Sequence, residues 1–242
     1  MHTAHIWGKF NLHWHKGVII LLLILLSNQS FGQKNFDINL PNYDEKWIHY
    51  GFLLAVHRSY FSMNYSEKFL SGSMDSLTSI QPQPRVGFDL GFIVNMRLGQ
   101  FFDFRVTPKV GFYEYNLEFN FDDGSQINQL VESTVVEFPL LFKYKSIRWN
   151  NFKVYFIGGL NPAIQASGNK DDENERKLQT AGFNLSGEFG FGFDIYFPLF
   201  KFAPEIRFSK GLLNLLQEDK FGYSDGMESL HTNVITLYLN FE

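Results

Sequence analysis

The chain contains no cysteine, so neither disulfides nor thiolate metal sites are available to it. It also lacks a basic excess. Lys9 and Lys16 are the only Lys, Arg, Asp or Glu in 1–32, so of the 21 basic and 25 acidic residues, 19 and 25 follow Gly32, a net of −6. No cationic field exists to draw a polyanion, which speaks against nucleic-acid binding. Histidine is sparse beyond residue 32, with only His49, His57 and His231. No phosphate-binding glycine loop, dinucleotide fingerprint or zinc-ligand spacing occurs, so no cofactor and no metal is implied. After residue 32 there is no second long apolar run, which excludes a membrane-spanning helix.

The one apolar run there is, VIILLLILL at 18–26, is preceded by Lys9 and Lys16 and followed by Ser30 and Gly32. Nine residues cannot cross about 30 Å of hydrocarbon. The segment 1–32 therefore reads as a secretory signal peptide with cleavage after Gly32, and 33–46 as a periplasmic N-terminal segment. No cysteine follows the run, so lipoprotein processing is excluded.

From residue 47 onward the pattern is period-two alternation, the mark of strands with two unlike faces. Tyr50, Phe52, Leu54 and Val56 alternate with His49, Gly51, Leu53 and Ala55. The same theme recurs near 85–95, 102–112, 136–144, 152–161, 183–195, 200–209 and 235–242, giving eight candidates. One face is rich in phenylalanine and the other carries whole charges. A water-soluble domain would struggle to hide 28 Phe and 11 Tyr, whereas a lipid-facing wall displays them.

The connections choose between a sandwich and a barrel. Long gaps near 58–84, 114–132, 166–181 and 210–231 alternate with short ones near 97–100, 146–151 and at Pro198 and Leu199. Outer-membrane barrels join strands in this way. The expected fold is all-β: an eight-stranded antiparallel transmembrane β-barrel over 47–242, with short periplasmic turns, long extracellular loops, and both termini periplasmic. Trp47, Tyr50, Tyr144 and Trp149 are candidates for aromatic girdles. Asp122, Asp123 and Gly124 read as a turn at a loop tip, and the acidic run at 171–175 as solvated loop charge.

Eight strands enclose a space just wide enough for their own side chains. The inward set would comprise Arg85, Asp89, Arg105, Lys109, Glu137, Lys143, Glu188, Asp194, Lys201, Glu205 and Arg207, six basic against five acidic. Charges withdrawn from water must pair, so the expectation is a self-neutralising plug. Glycines 87, 91, 111, 190 and 192 on that face would admit long side chains from across the barrel. His57 and Ser59 share a strand face, but no third group stands at catalytic spacing, so no catalytic residue is assigned. Leu212, Leu213, Leu215 and Leu216 make 210–216 too apolar for a purely solvated loop. Covering the lumen mouth or docking a partner would account for them.

Three stretches go beyond generic barrel pattern: LPNYDEKWIHYGF at 40–52, ESTVVEFPLLFKY at 132–144 and PEIRFSKGL at 204–212. In these the chain resembles the PorT family of Bacteroidetes outer-membrane barrels. The resemblance implies a non-enzymatic accessory or assembly role in type IX protein secretion, with outer-membrane lipid and other secretion-apparatus proteins as partners. The alternative is a generic small outer-membrane barrel with a structural or small-ligand-binding role.

Overall fold

Segments whose side chains alternate between two unlike faces bury neither face alone; pairing side by side lets each face continue across its neighbours. The computed structural model describes residues 38–72, 77–168, 178–217 and 224–242. The leader at 1–32 and the acidic run at 171–175 lie outside the described residues. The strands are β1 (Ile48–Tyr65), β2 (Leu77–Gln83), β3 (Arg85–Arg97), β4 (Phe102–Val106), β5 (Lys109–Phe121), β6 (Gln126–Glu137), β7 (Leu140–Lys145), β8 (Phe152–Gly168), β9 (Phe183–Tyr196), β10 (Lys201–Gly211) and β11 (Met227–Phe241). A helical turn, α1 (Glu67–Leu70), follows β1.

These eleven segments make eight wall strands, because three of them are interrupted at prolines. At Pro108 and Pro139 the ladder keeps its register, from Val106↔Leu140 below to Lys109↔Glu137 above, and only the missing proline N–H groups break the pairing. At Pro84 the register slips. Between Gln83↔Asn116 and Phe88↔Phe112, five steps on one strand face four on the other, a bulge of the kind proline requires within a sheet. The ring closes where β1 pairs on one side with β3 (Phe52↔Phe92) and on the other with β11 (Phe52↔Phe241).

The strands run further than the sequence pattern suggests. Most of 114–132 is not loop. β5 and β6 stay paired up to Asn120↔Gln126, and the connection shrinks to the turn at 122–125, where Gly124 has φ +80° and Asp123 Oδ1 accepts from Ser125 N. β1 continues to Tyr65 and β11 begins at Met227. The 18 residues of β1 span roughly 45 Å along a barrel axis at a tilt near 40°. A lipid-facing apolar band is only about 25 Å tall. The surplus projects from the long-loop end.

That surplus reverses its polarity. Low on the barrel the outward rows are apolar, as with Phe52, Leu54 and Val56 on β1 and Leu90 and Phe92 on β3, all exposed. From one row above Val56 and Phe112 onward the outward residues include Arg58, Ser62, Glu114 and Glu118. Inside, the opposite happens. The face that carries Lys109 low on β5 carries Tyr115, Leu117 and Phe119 higher up, packed with Phe61, Ile80, Val131 and Leu230 in a dry cluster. Burying a side chain such as Leu117 there stabilises the extension by about 1.5–3 kcal/mol.

Candidate functional site

The interior at the level of the apolar band is the candidate site. Parity alone sends Asp89, Lys109, Glu137, Lys143, Glu188, Asp194, Lys201, Glu205, Arg207 and Arg105 inward, and all ten are buried. They form two runs of ion pairs joined by the Asn161 amide. Lys109 Nζ lies 3.1 Å from Asp89 Oδ2 and 3.0 Å from Glu137 Oε2. Asn161 Nδ2 donates to both Glu137 and Glu188, reaching Glu188 Oε1 at 2.8 Å. Arg207 Nη1 is 3.0 Å from Glu188 Oε2, and its Nε donates to Glu205 Oε1 at 2.6 Å. Arg105 joins Glu205 at 3.5 Å to Glu242 at 2.6 Å. Lys201 and Lys143 close on Glu242 and Asp194 at 3.0 and 2.8 Å.

Arg85 is the exception. It follows the Pro84 bulge, in the gap between Gln83↔Asn116 and Phe88↔Phe112 where pairing to β5 lapses, and although its backbone pairs with Ser59 on β1 the side chain is exposed. The glycines also act differently from expectation. A Cβ at Gly192 would stand 2.5 Å from the hydroxyl of Tyr155, its direct cross-strand partner, and one at Gly111 would stand 2.5 Å from Oδ1 of its partner Asp89. They make room for neighbours on the adjacent strand, not for side chains from the far wall.

Several members were missing from the inward set. Asp103 and Lys145 pair at 2.6 Å, and Asn95 bridges Asp103 to Arg105. Both share parity with Arg105 and Lys143, so the alternation itself marks them. Tyr113 and Tyr155 donate to Glu137 and Glu205 at 2.5 and 2.7 Å. His57 Nδ1 stands 3.2 Å from Asp89 Oδ1 and its ring stacks on Tyr113 at 4.1 Å. Ser59 Oγ donates to the Glu114 carbonyl at 2.7 Å, so among the described residues it is not presented to His57 as a nucleophile.

At the short-turn end the N-terminal segment closes the opening. Tyr43 stacks on His49 at 4.1 Å, and its carbonyl accepts from His49 Nε2 at 2.7 Å. Asp44 receives Lys153 at 2.6 Å and the Tyr196 hydroxyl at 2.9 Å. Burial opposes ionisation of Asp44, but the Lys153 hydrogen bond and charge, helped by Tyr196 and Arg148, hold its carboxyl below the usual range. Burial raises the Tyr43 phenol. Arg148 donates to the carbonyls of Asn39 and Leu40. Trp47, Tyr50, Tyr144 and Trp149 lie exposed around this same end.

At the other end Leu215 is buried, and Leu216 packs against the dry cluster, while Leu212 and Leu213 are exposed. Ala181 N donates to the Leu215 carbonyl at 3.0 Å and Leu215 N to the Leu230 carbonyl at 2.8 Å, which ties that segment between the approach to β9 and β11.

A closed antiparallel wall, apolar without and ion-paired within, is the architecture of an outer-membrane barrel, and residues 30–217 match the sequence pattern of the outer membrane protein beta-barrel domain. The chain belongs to that family. The match to this barrel family stops short of β11, which nevertheless pairs with both β1 and β10. Among solved structures the chain is similar to OprG from Pseudomonas aeruginosa, at 13% identity and TM-score 0.40 over 79% of this chain and 93% of that one. It is also similar to Neisserial surface protein A, at 8% and 0.41 over 81% and 98%. Ail of Yersinia pestis gives 7% and 0.35 over 81% and 98%. No curated protein matches by sequence.

Proposed function

We propose that this outer-membrane barrel is a non-enzymatic accessory or assembly component of protein export to the cell surface, of the type IX kind, with both chain ends on the periplasmic side. The observation that supports this most is the filled interior. With Arg105, Arg207, Lys109 and Lys143 all buried and paired with carboxylates, the belt is filled by its own side chains, which favours a function carried by the surfaces the barrel presents. Those surfaces are the extension beyond the apolar band and the capped short-turn rim, and other secretion-apparatus proteins would bind there. The segments at 40–52, 132–144 and 204–212 that resemble the PorT family point the same way.

Deletion of the chain tests the reading. The expected outcome is loss of exported surface proteins with unchanged outer-membrane permeability; normal export with altered small-solute uptake would overturn it. Orientation is tested separately. Because the chain has no cysteine, Asp123→Cys and Leu199→Cys each introduce a single thiol. An impermeant maleimide added to intact cells should label the first and spare the second.

A further inference from the structure

Directly above the ion-paired belt lies a half-open cavity of about 70 Å³, with Glu137, Asn161 and Ser186 among the residues at its belt end, Phe61 and Tyr115 along one wall, and Leu215 at its mouth. Its chemistry is lopsided. Asn161 is buried, and both carboxylates it touches accept from its Nδ2, which leaves Oδ1 turned away from them without a partner. Asn184, also on the lining, has an unpartnered Oδ1 as well. A buried acceptor without a donor is costly, so whatever enters must donate.

The charge at this end is lopsided too. Asp89, Glu137 and Glu188 face two permanent cations, Lys109 and Arg207, besides the His57 ring on Asp89, and Arg207 is shared with Glu205. The surplus cation sits at the opposite end, where Lys153 and Arg148 both face Asp44. A donor that also carries a positive charge therefore fits the cavity better than a neutral one. The walls above are apolar, with Phe61, Val131 and Val234.

We propose that this cavity binds the ammonium end of a small primary amine, with Asn161 Oδ1 as acceptor and a short aliphatic stem along Phe61, Tyr115 and Val131. The size suits a stem of a few carbons, since a cavity of about 150 Å³ holds a benzene ring. A longer amine, such as a lysine side chain of a partner, would protrude through the half-open mouth. This inference does not depend on the secretion reading.

The test uses the full barrel in detergent micelles, titrated with n-butylammonium, n-butanol and n-butyrate while backbone resonances of Ser133, Ala163 and Ser186 are followed. Saturable shifts with the amine alone, at a dissociation constant on the order of 1 mM for so small a ligand, would support the site. Equal shifts with butanol would mean an unselective apolar void, and no saturable shift would mean a cavity that holds water only; either overturns the proposal. Ala163→Leu, which fills the cavity from the wall position paired with Glu137, should weaken amine binding at least about tenfold. Unchanged affinity in that variant would place binding elsewhere. The wild-type ligand series decides the question even if the variant does not fold.

Discussion

The lower and upper halves of this barrel use the same strands with opposite polarity. On β5 the inward row reads Lys109, Gly111, Tyr113, Tyr115, Leu117 and Phe119, and the outward row Val110, Phe112, Glu114, Asn116, Glu118 and Asn120. Neither its pairing with β6 nor its alternation changes along the strand, yet the medium it answers to does. Where lipid surrounds the wall, apolar residues face out and charges must find one another inside. Where water surrounds it, the ordinary soluble rule returns and the apolar face turns to the core. The boundary is therefore written into the side chains, near Val56, Phe112 and Ile235.

The largest effect that would sharpen this contrast lies in the lower interior. Arg105→Met leaves Glu242 without its guanidinium partner and Glu205 with Arg207 alone, and should cost about 3–5 kcal/mol, read from urea unfolding in lipid vesicles. A loss under about 1 kcal/mol would mean that the belt is wetter than its burial implies. On the outer wall, Leu90→Arg should cost about 2–4 kcal/mol, while Ser62→Arg, on an outward position of the extension, should stay within about 0.5 kcal/mol. Equal costs at the two positions would erase the boundary.

The smallest effect concerns the N-terminal cap. Asp44 has its carboxyl held below the ordinary range in the folded chain. Its contribution is thus complete above the ordinary carboxylate value, about 4, and disappears as pH falls through the lower folded value. Hydrogen exchange at residues 39–46 should quicken on that acid side in the wild type. In Asp44→Asn it should be faster already at neutral pH and lose its dependence on acid. Exchange that responds to pH equally in both would assign the effect to another group.

Much of this was legible in the sequence, and for a physical reason. Wherever lipid lies outside, charge and phenylalanine sort cleanly by parity, which is why Asp89, Lys109, Glu205 and Arg207 could be placed inside before any coordinates. The upper strands escaped notice because their apolar parity is inverted. Tyr115, Leu117 and Phe119 alternate as regularly as Val110 and Phe112 but on the other face, so a pattern followed by face ends at Phe112 and leaves a spurious loop. Arg85 obeys parity and is still exposed, since alternation carries no information about a slipped register at Pro84. Nor does it hold any trace of the contacts that Asp44 and the Tyr43 hydroxyl make with groups more than a hundred positions away.

That distance has a consequence for assembly. Besides His49 on β1, the groups that hold Asn39, Tyr43 and Asp44 come from the turn before β8 and its first residues, from the end of β9, and from Lys201 and Glu242. The set is complete only when the final strand, which ends beside Glu242, has zipped against the first. The leading segment therefore fastens last, as a latch whose closure reports that the cylinder behind it is complete.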